Sequence, residues 1–497
     1  MPRILLALAL LGLLSCATTS LHQSDWLEVS TPHYIVFSTL GRDPTLQLAE
    51  DLERVRAAAE FLLGEPMRPA SVRTRVYAFD DRSLVRLFDL RGQSGYFLST
   101  LEGGIIVLRN GGGWRQDAPR KLRHDYAHHL LRNHRGLTTS LWLDEGFAQF
   151  LSTLQIKDES ADLGIVRKDH LILLRNRLRL SLARVLQMQT HEGVSPQERE
   201  AFEAEAWALF HYLSFEVGRP ADAAERRRRY FKRLGSGTPR QEAFAAAFGQ
   251  DEGTLERKLF RYVRKTRFDS IQLNLVDSWK PSASDVRPLS APEAVTQLGW
   301  LSIALDKPAQ ARRYFEIALA AEPDASHAEA GLAAAARLEG NANESAEHGS
   351  RALESAPDDP LVQLQVARIY HERARSATGM DEQDQLAEQA RKHYRKSIVA
   401  DPANPAPKAL LGATYLLGTQ DASKAALPMA AAQQQLPASL EIRLIQARLA
   451  AAQGQAPDAR YHARTIRART HSTRQSAAAG EVLDQASRGT PTPDGPQ

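Results

Sequence analysis

A spacing of 34 residues constrains this chain more than any other feature. Pro323-Asp324 and Pro357-Asp358 stand 34 apart. Each directly follows an alanine-rich helical stretch, Ala318-Leu319-Ala320-Ala321-Glu322 or Ala352-Leu353-Glu354-Ser355-Ala356. Pro402 comes 45 residues after Pro357, and Pro437 another 35 later. Self-similarity at a period of this length marks stacked repeats, each of which buries its apolar side only against the next. The longer spacing predicts an insertion of about ten residues, at Ala374 to Asp384.

Within the first unit Gly299, Trp300, Ala311, Tyr314, Phe315 and Ala318 supply small and aromatic packing residues. Period and residues together resemble the tetratricopeptide repeat. That resemblance implies about five helix-turn-helix repeats over 291–470, with a concave face for protein partners. Residues 471–497 read as a terminal helix and a disordered tail, the last ten being RGTPTPDGPQ.

The chain before 271 reads differently. Tyr34-Ile35-Val36-Phe37 after Pro32 reads as a strand, as do Arg73 to Phe79, Gly95 to Leu98 and Gly104 to Leu108. Asp43 to Leu63 has apolar residues at three-to-four spacing and stops at Gly64, which predicts a helix. Helices dominate from Pro119 onward. The expected fold class is an α+β domain over 24–270, a small mixed sheet plus helices, followed by the all-α solenoid. Between them 271–290, with Trp279-Lys280-Pro281-Ser282-Ala283-Ser284, reads as a linker. A net charge of +4 over 497 residues argues against nucleic acid as a partner.

Ile4 to Leu14 is an apolar segment behind Arg3. It falls short of the roughly 20 residues that a membrane-spanning helix needs and has the length of a signal-peptide core. The chain's one cysteine, Cys16, ends it. Leu13-Leu14-Ser15-Cys16 resembles a bacterial lipobox. That resemblance implies export, lipidation of Cys16 and attachment to a membrane at the periplasmic face of the cell envelope, with 1–23 as signal and tether. With a single cysteine no internal disulfide can form.

The stretch from Arg120 to Leu151 carries the chemistry. His124 and His128 are four apart in a run without Pro or Gly, so a helix sets both imidazoles on one face. Glu145 follows in Leu141-Trp142-Leu143-Asp144-Glu145-Gly146-Phe147-Ala148, a second helical run. Two imidazoles and a carboxylate with an open fourth position make the ligand set of a catalytic zinc ion.

The segments His124-Asp125-Tyr126-Ala127-His128 and Trp142 to Phe150 resemble the two halves of a gluzincin metallopeptidase site. Flanking stretches match that group too, Thr31 to Tyr34, Tyr77 to Asp80 and Gly103 to Leu108 upstream, and Ala206 to Leu213 and Ala245 to Gly249 downstream. The resemblance covers 28–270. It implies Zn2+ on His124, His128 and Glu145, a protein or peptide substrate, and residue 125 as general base. The family has glutamate there. Asp125 is one methylene shorter, and a misplacement of about 1 Å can cost on the order of a hundredfold in rate. Two readings follow: an exported zinc-dependent peptidase, or a catalytically weak or inactive peptidase fold serving with its repeats as a scaffold in the cell envelope.

Neighbouring residues divide into helpers and packing. Asp144 could orient a ligand histidine from behind, and His211 or Tyr212 could donate to a developing oxyanion. Ile105, Ile106 and Val107 read as an edge strand on which an extended peptide could lie. His129 is turned off the His124/His128 face and reads as packing. His33, His170 and His191 read as surface or structural residues. The glycines at 103–113 are not followed by Gly-Lys-Ser/Thr, so they form no phosphate loop. If Cys16 is lipidated, labelled palmitate enters the wild-type protein, and Cys16→Ala abolishes both the label and partition into detergent. An unlabelled wild type contradicts the lipobox reading.

Overall fold

The computed structural model describes residues 25–488, apart from 80–81, 91–93, 110–119, 138, 177–178, 218–221, 250, 276–278, 281, 283–284 and 471. Cys16, with the rest of the export segment, and the tail beyond 488 lie outside the described residues.

Strands β1 (Leu27–Ser30), β2 (Tyr34–Ser38), β3 (Thr74–Phe79), β4 (Gly95–Thr100) and β5 (Gly103–Arg109) form a mixed sheet in the order β4-β5-β3-β2-β1. Pairing is parallel from β2 through β3 to β5, and antiparallel for β4 and β1. A second sheet joins β6 (Gln155–Ile156), β7 (Ser160–Leu163) and β8 (Ile271–Asn274). β9 (Val286–Pro288) returns to the first sheet and pairs with β1. The expected linker 271–290 is thus built into both sheets. Its polar composition hides a strand alternation, Ile271-Gln272-Leu273-Asn274, in which Leu273 alone is buried.

Among the described residues ten helices accompany these strands: α1 (Arg42–Leu63), α2 (Arg82–Leu87), α3 (Arg120–Arg135), α4 (Leu141–Leu151), α5 (Lys168–Arg175), α6 (Leu182–Gln187), α7 (Pro196–Phe215), α8 (Ala223–Gly235), α9 (Arg240–Phe248) and α10 (Glu252–Tyr262). Five helix pairs follow. They are α11 (Ala291–Ala304) with α12 (Pro308–Ala321), α13 (Ser326–Leu338) with α14 (Ala342–Ser355), α15 (Pro360–Ser376) with α16 (Met380–Ala400), α17 (Ala406–Ala413) with α18 (Ala426–Gln435), and α19 (Leu440–Ala452) with α20 (Ala456–Arg469). The last helix, α21 (Thr473–Arg488), packs on the fifth pair. This half of the chain is a tetratricopeptide-type solenoid. Among the described residues no helix is long and apolar enough to cross a membrane.

The first sheet is covered on both faces. Val36, Val76, Ala78, Ile106 and Leu108 pack with Leu52 and Val55 of α1 and Leu122 and Leu130 of α3. Their neighbours Phe37, Tyr77, Phe79, Ile105 and Val107 pack instead with Leu298 and Leu301 of α11 and Phe315 of α12. The first repeats therefore grow out of the core of the α+β domain. Ile105, Ile106 and Val107, expected on an edge, sit on an interior strand, bonded to β3 on one side and β4 on the other. Their unbroken apolar run marks a strand buried on both faces; the sheet ends on β4 and β9.

Small residues set the repeat packing. The Phe315 ring wedges against Gly299 and Gly331, where an added Cβ would stand 2.5 and 2.4 Å from ring atoms. Gly349 against Ile369 and Gly412 against Met429 repeat the arrangement further along. The third pair has helices of 17 and 21 residues against 13 and 14 in the second, so the extra residues around 374–384 are absorbed as added helical turns.

The solenoid also returns to the first domain. The Ala438 amide donates to Asn133 Oδ1 at 3.1 Å, Arg467 pairs with Glu192 at 2.7 Å, and Arg368 pairs with Glu102 of the β4–β5 turn at 2.8 Å. Gly331→Ala should destabilise the protein by about 1–3 kcal/mol through overpacking on Phe315. Gly480→Ala in α21, where a Cβ meets nothing within 4 Å, should be neutral or stabilising by up to about 1 kcal/mol. Thermal unfolding of the two variants checks the contrast.

Candidate metal centre

Every residue of α4 is buried, so Asp144 and Glu145 are carried into an apolar core. An ionised carboxylate there is prohibitively costly unless it is paired. Gly146 permits the close approach of α4 to α7, since a Cβ would stand 2.6 Å from the Ala206 carbonyl oxygen. The two acids are compensated differently.

Asp144 faces cations and an imidazole. Its Oδ1 lies 2.8 Å from His128 Nδ1, and its Oδ2 lies 2.8 Å from Arg132 Nη2 and 2.9 Å from Arg469 Nη1. Arg469, at the end of α20, also donates to the Thr139 carbonyl, and Arg132 Nη1 donates to the Arg469 carbonyl at 3.2 Å. Burial alone would raise the Asp144 pKa. Arg132, His128 and Arg469 overcome it and hold the carboxyl far below its usual range.

Glu145 faces imidazoles. Its Oε2 is 3.3 Å from His124 Nε2 and 3.5 Å from His128 Nε2, and its Oε1 is 3.7 Å from His191 Nε2. Ligand-type atoms of His124, His128 and Glu145 all lie within 4.8 Å of one another. His124 Nε2 and Glu145 Oε2 are buried without hydrogen-bond partners. Burial pulls the His124 pKa down, but Asp125 and Glu145 outweigh it and raise it to about 9. This donor set and its orphaned atoms fit a divalent cation of the zinc type. Asp144, bonded to Nδ1, orients the His128 ring so that Nε2 faces Glu145.

Asp125 stands apart from this convergence. Its Oδ2 is 2.7 Å from Lys121 Nζ. Its Oδ1 is 3.6 Å from His124 Nδ1, the ring nitrogen away from Glu145. Burial pushes its pKa up, yet His124 and Lys121 prevail and lower it to about 2.

His211, read from the sequence as a possible oxyanion donor, is taken up by the fold. Its Nδ1 is 2.6 Å from the Tyr262 hydroxyl and its Nε2 is 2.8 Å from the Gly164 carbonyl, so both ring nitrogens are committed to the fold. Tyr212 is buried edge-on against Tyr262. His129 packs on Phe97 and Tyr126. His191 is the residue that sequence reasoning misses. It sits on the loop before α7, and no spacing or motif in the sequence ties it to Glu145.

No family model and no curated protein matches the chain. Solved structures similar to it include proteins described as tetratricopeptide-repeat proteins. The TPR protein TTC0263 of Thermus thermophilus has 20% identity and a TM-score of 0.35, over 39% of this chain and 98% of that one. PilF of Pseudomonas aeruginosa has 18% identity and a TM-score of 0.29, over 40% and 88%. Human IFIT1, solved as a dimer with PPP-AAAA, has 16% identity and a TM-score of 0.32, over 64% and 86%. Likenesses this distant carry no argument about activity. The repeat fold rests on the chain's own helix pairs.

Because the folded pKa of Asp144 is depressed, its contribution to stability is present above the unfolded pKa of about 4 and is lost as pH falls towards the folded value. In metal-free protein Asp144→Asn should cost about 3–5 kcal/mol at neutral pH. Between pH 5 and pH 3 it should lose less stability than wild type does, as urea unfolding would measure.

Proposed function

We propose that this chain is a metal-holding scaffold. In this reading a gluzincin-like fold keeps one zinc ion on His124, His128 and Glu145 without efficient turnover. The solenoid fused to it holds a protein partner, at a membrane surface reached through lipid on Cys16.

The observation that carries the reading is the position of Asp125. A general base must come within hydrogen-bond reach of the proton it takes. Asp125 is instead engaged by Lys121 at 2.7 Å and lies beside the Nδ1 of His124. The orphaned His124 Nε2 and Glu145 Oε2 support a bound cation. Zinc bound there supplies Lewis acidity, while Asp144 and Arg132 hold the ring of His128 in place. Partner binding is supported by the five helix pairs, because solenoids of this kind present extended concave surfaces to proteins and peptides.

A zinc-dependent peptidase is the second reading, favoured by the intact set of two histidines and a glutamate. A substrate strand would then add to β4, where the sheet ends. Purified protein should hold one zinc per chain by elemental analysis, and Ala at His124, His128 or Glu145 should remove it. Zinc-loaded wild type should cleave nothing in a broad peptide library. Cleavage by wild type that Asp125→Asn abolishes contradicts the scaffold reading and restores the peptidase.

A further inference from the structure

The geometry points to His191 as a fourth protein ligand, which closes the metal site. This rests on the metal reading above and adds a residue to it.

His191 lies on the segment 188–195 between α6 and α7, with its ring edge-on to Phe202 at 5.4 Å. Its side chain is only 12% exposed, and both ring nitrogens are buried without a hydrogen-bond partner. Buried polar atoms are nearly always partnered, so two orphaned nitrogens on one ring require a reason. The near polar group is Glu145 Oε1, at 3.7 Å from Nε2, beyond hydrogen-bond distance. Glu145 thus turns Oε2 to His124 and His128 and Oε1 to His191, and three imidazoles approach one carboxylate.

The segment that carries His191 is held just after it. Glu192 pairs with Arg467 of α20 at 2.7 Å, and Ser195 Oγ accepts from the Glu198 amide at the start of α7. The converging atoms are those of His124, His128 and Glu145; His191 joins a cation there as fourth donor by swinging in from the Oε1 side, which gives His124 Nε2, Glu145 Oε2 and His191 Nε2 the partner each lacks. Three histidines and one glutamate make a four-coordinate site with no open position, the form that structural zinc takes. The metal then clamps α3, α4 and the loop before α7, and Asp125 has no proton to transfer.

Cobalt(II) titrated into the metal-free full-length protein reports coordination by its visible spectrum. Wild type should show the intense bands of a tetrahedral ion. His191→Ala should show weak bands of higher coordination and bind cobalt more than about 100-fold less tightly, since the loss of a mere supporting partner already costs about 10–100-fold. His191→Cys should gain a thiolate-to-cobalt absorption in the near ultraviolet that wild type lacks. Circular dichroism of the metal-free variants, matching wild type, establishes that they fold. If His191→Ala keeps the wild-type spectrum and affinity and His191→Cys gains no new band, His191 is not a ligand, although the three-residue site stands. If wild type itself takes up no cobalt, the metal reading fails, and the fourth ligand with it.

Discussion

The ionised carboxylate of Asp144 sits where almost no water reaches it, and its compensation organises the molecule. His128, Arg132 and Arg469 approach its two oxygens at 2.8–2.9 Å. One of these comes from the same helix face as the metal-type ligands, one from the next turn of that helix, and one from the fifth repeat. A group this buried cannot give up a partner cheaply. The orientation of His128 and the docking of α20 are therefore tied to one charge. Glu145, one residue further on, turns to the imidazoles instead. Adjacent acids on a wholly buried helix thus serve two ends, one joining the halves of the chain and the other presenting ligand atoms.

The sheet makes the same connection at the other end. Phe37, Tyr77, Phe79, Ile105 and Val107 are covered by the first repeat, as their alternating neighbours are by α1 and α3. β9 enters the sheet immediately before α11 begins. The solenoid is thereby held to the α+β domain at its first pair by apolar packing, at its fifth by Arg467 and Arg469, and at the turn before the fifth by the Ala438 amide. In such an arrangement a partner bound by the repeats and an ion at the proposed site beside Glu145 would act on one connected structure.

What could be read from the sequence was what depends on near neighbours in the chain. The 34-residue period gave the helix pairs, and Gly299 and Phe315 gave their packing, because a repeat is defined by local spacing. His124 and His128 were legible as a pair because i and i+4 share a helix face. The same rule places Lys121 four residues before Asp125, so the ion pair that draws this acid away was available to sequence reasoning as well. The run Ile105 to Leu108 was ambiguous: a strand apolar throughout is covered on both faces, which is a different property from being an edge. The linker reading of 271–290 failed because four alternating residues were outweighed by the prolines and serines around them. Arg469 and His191 had no sequence signal, since each meets its partner only through the tertiary fold.

These contacts make one physical claim, that the ligand cluster and the last repeats are a single mechanical unit joined through Asp144. Hydrogen exchange of the full-length protein, with and without zinc, tests it most directly. Exchange reports local opening segment by segment, and a ligand that binds only the folded form stabilises whatever is coupled to its site. Zinc should slow exchange in α3 and α4 and also in α19 and α20. Protection confined to 120–151, with 440–469 unchanged, would contradict the coupling.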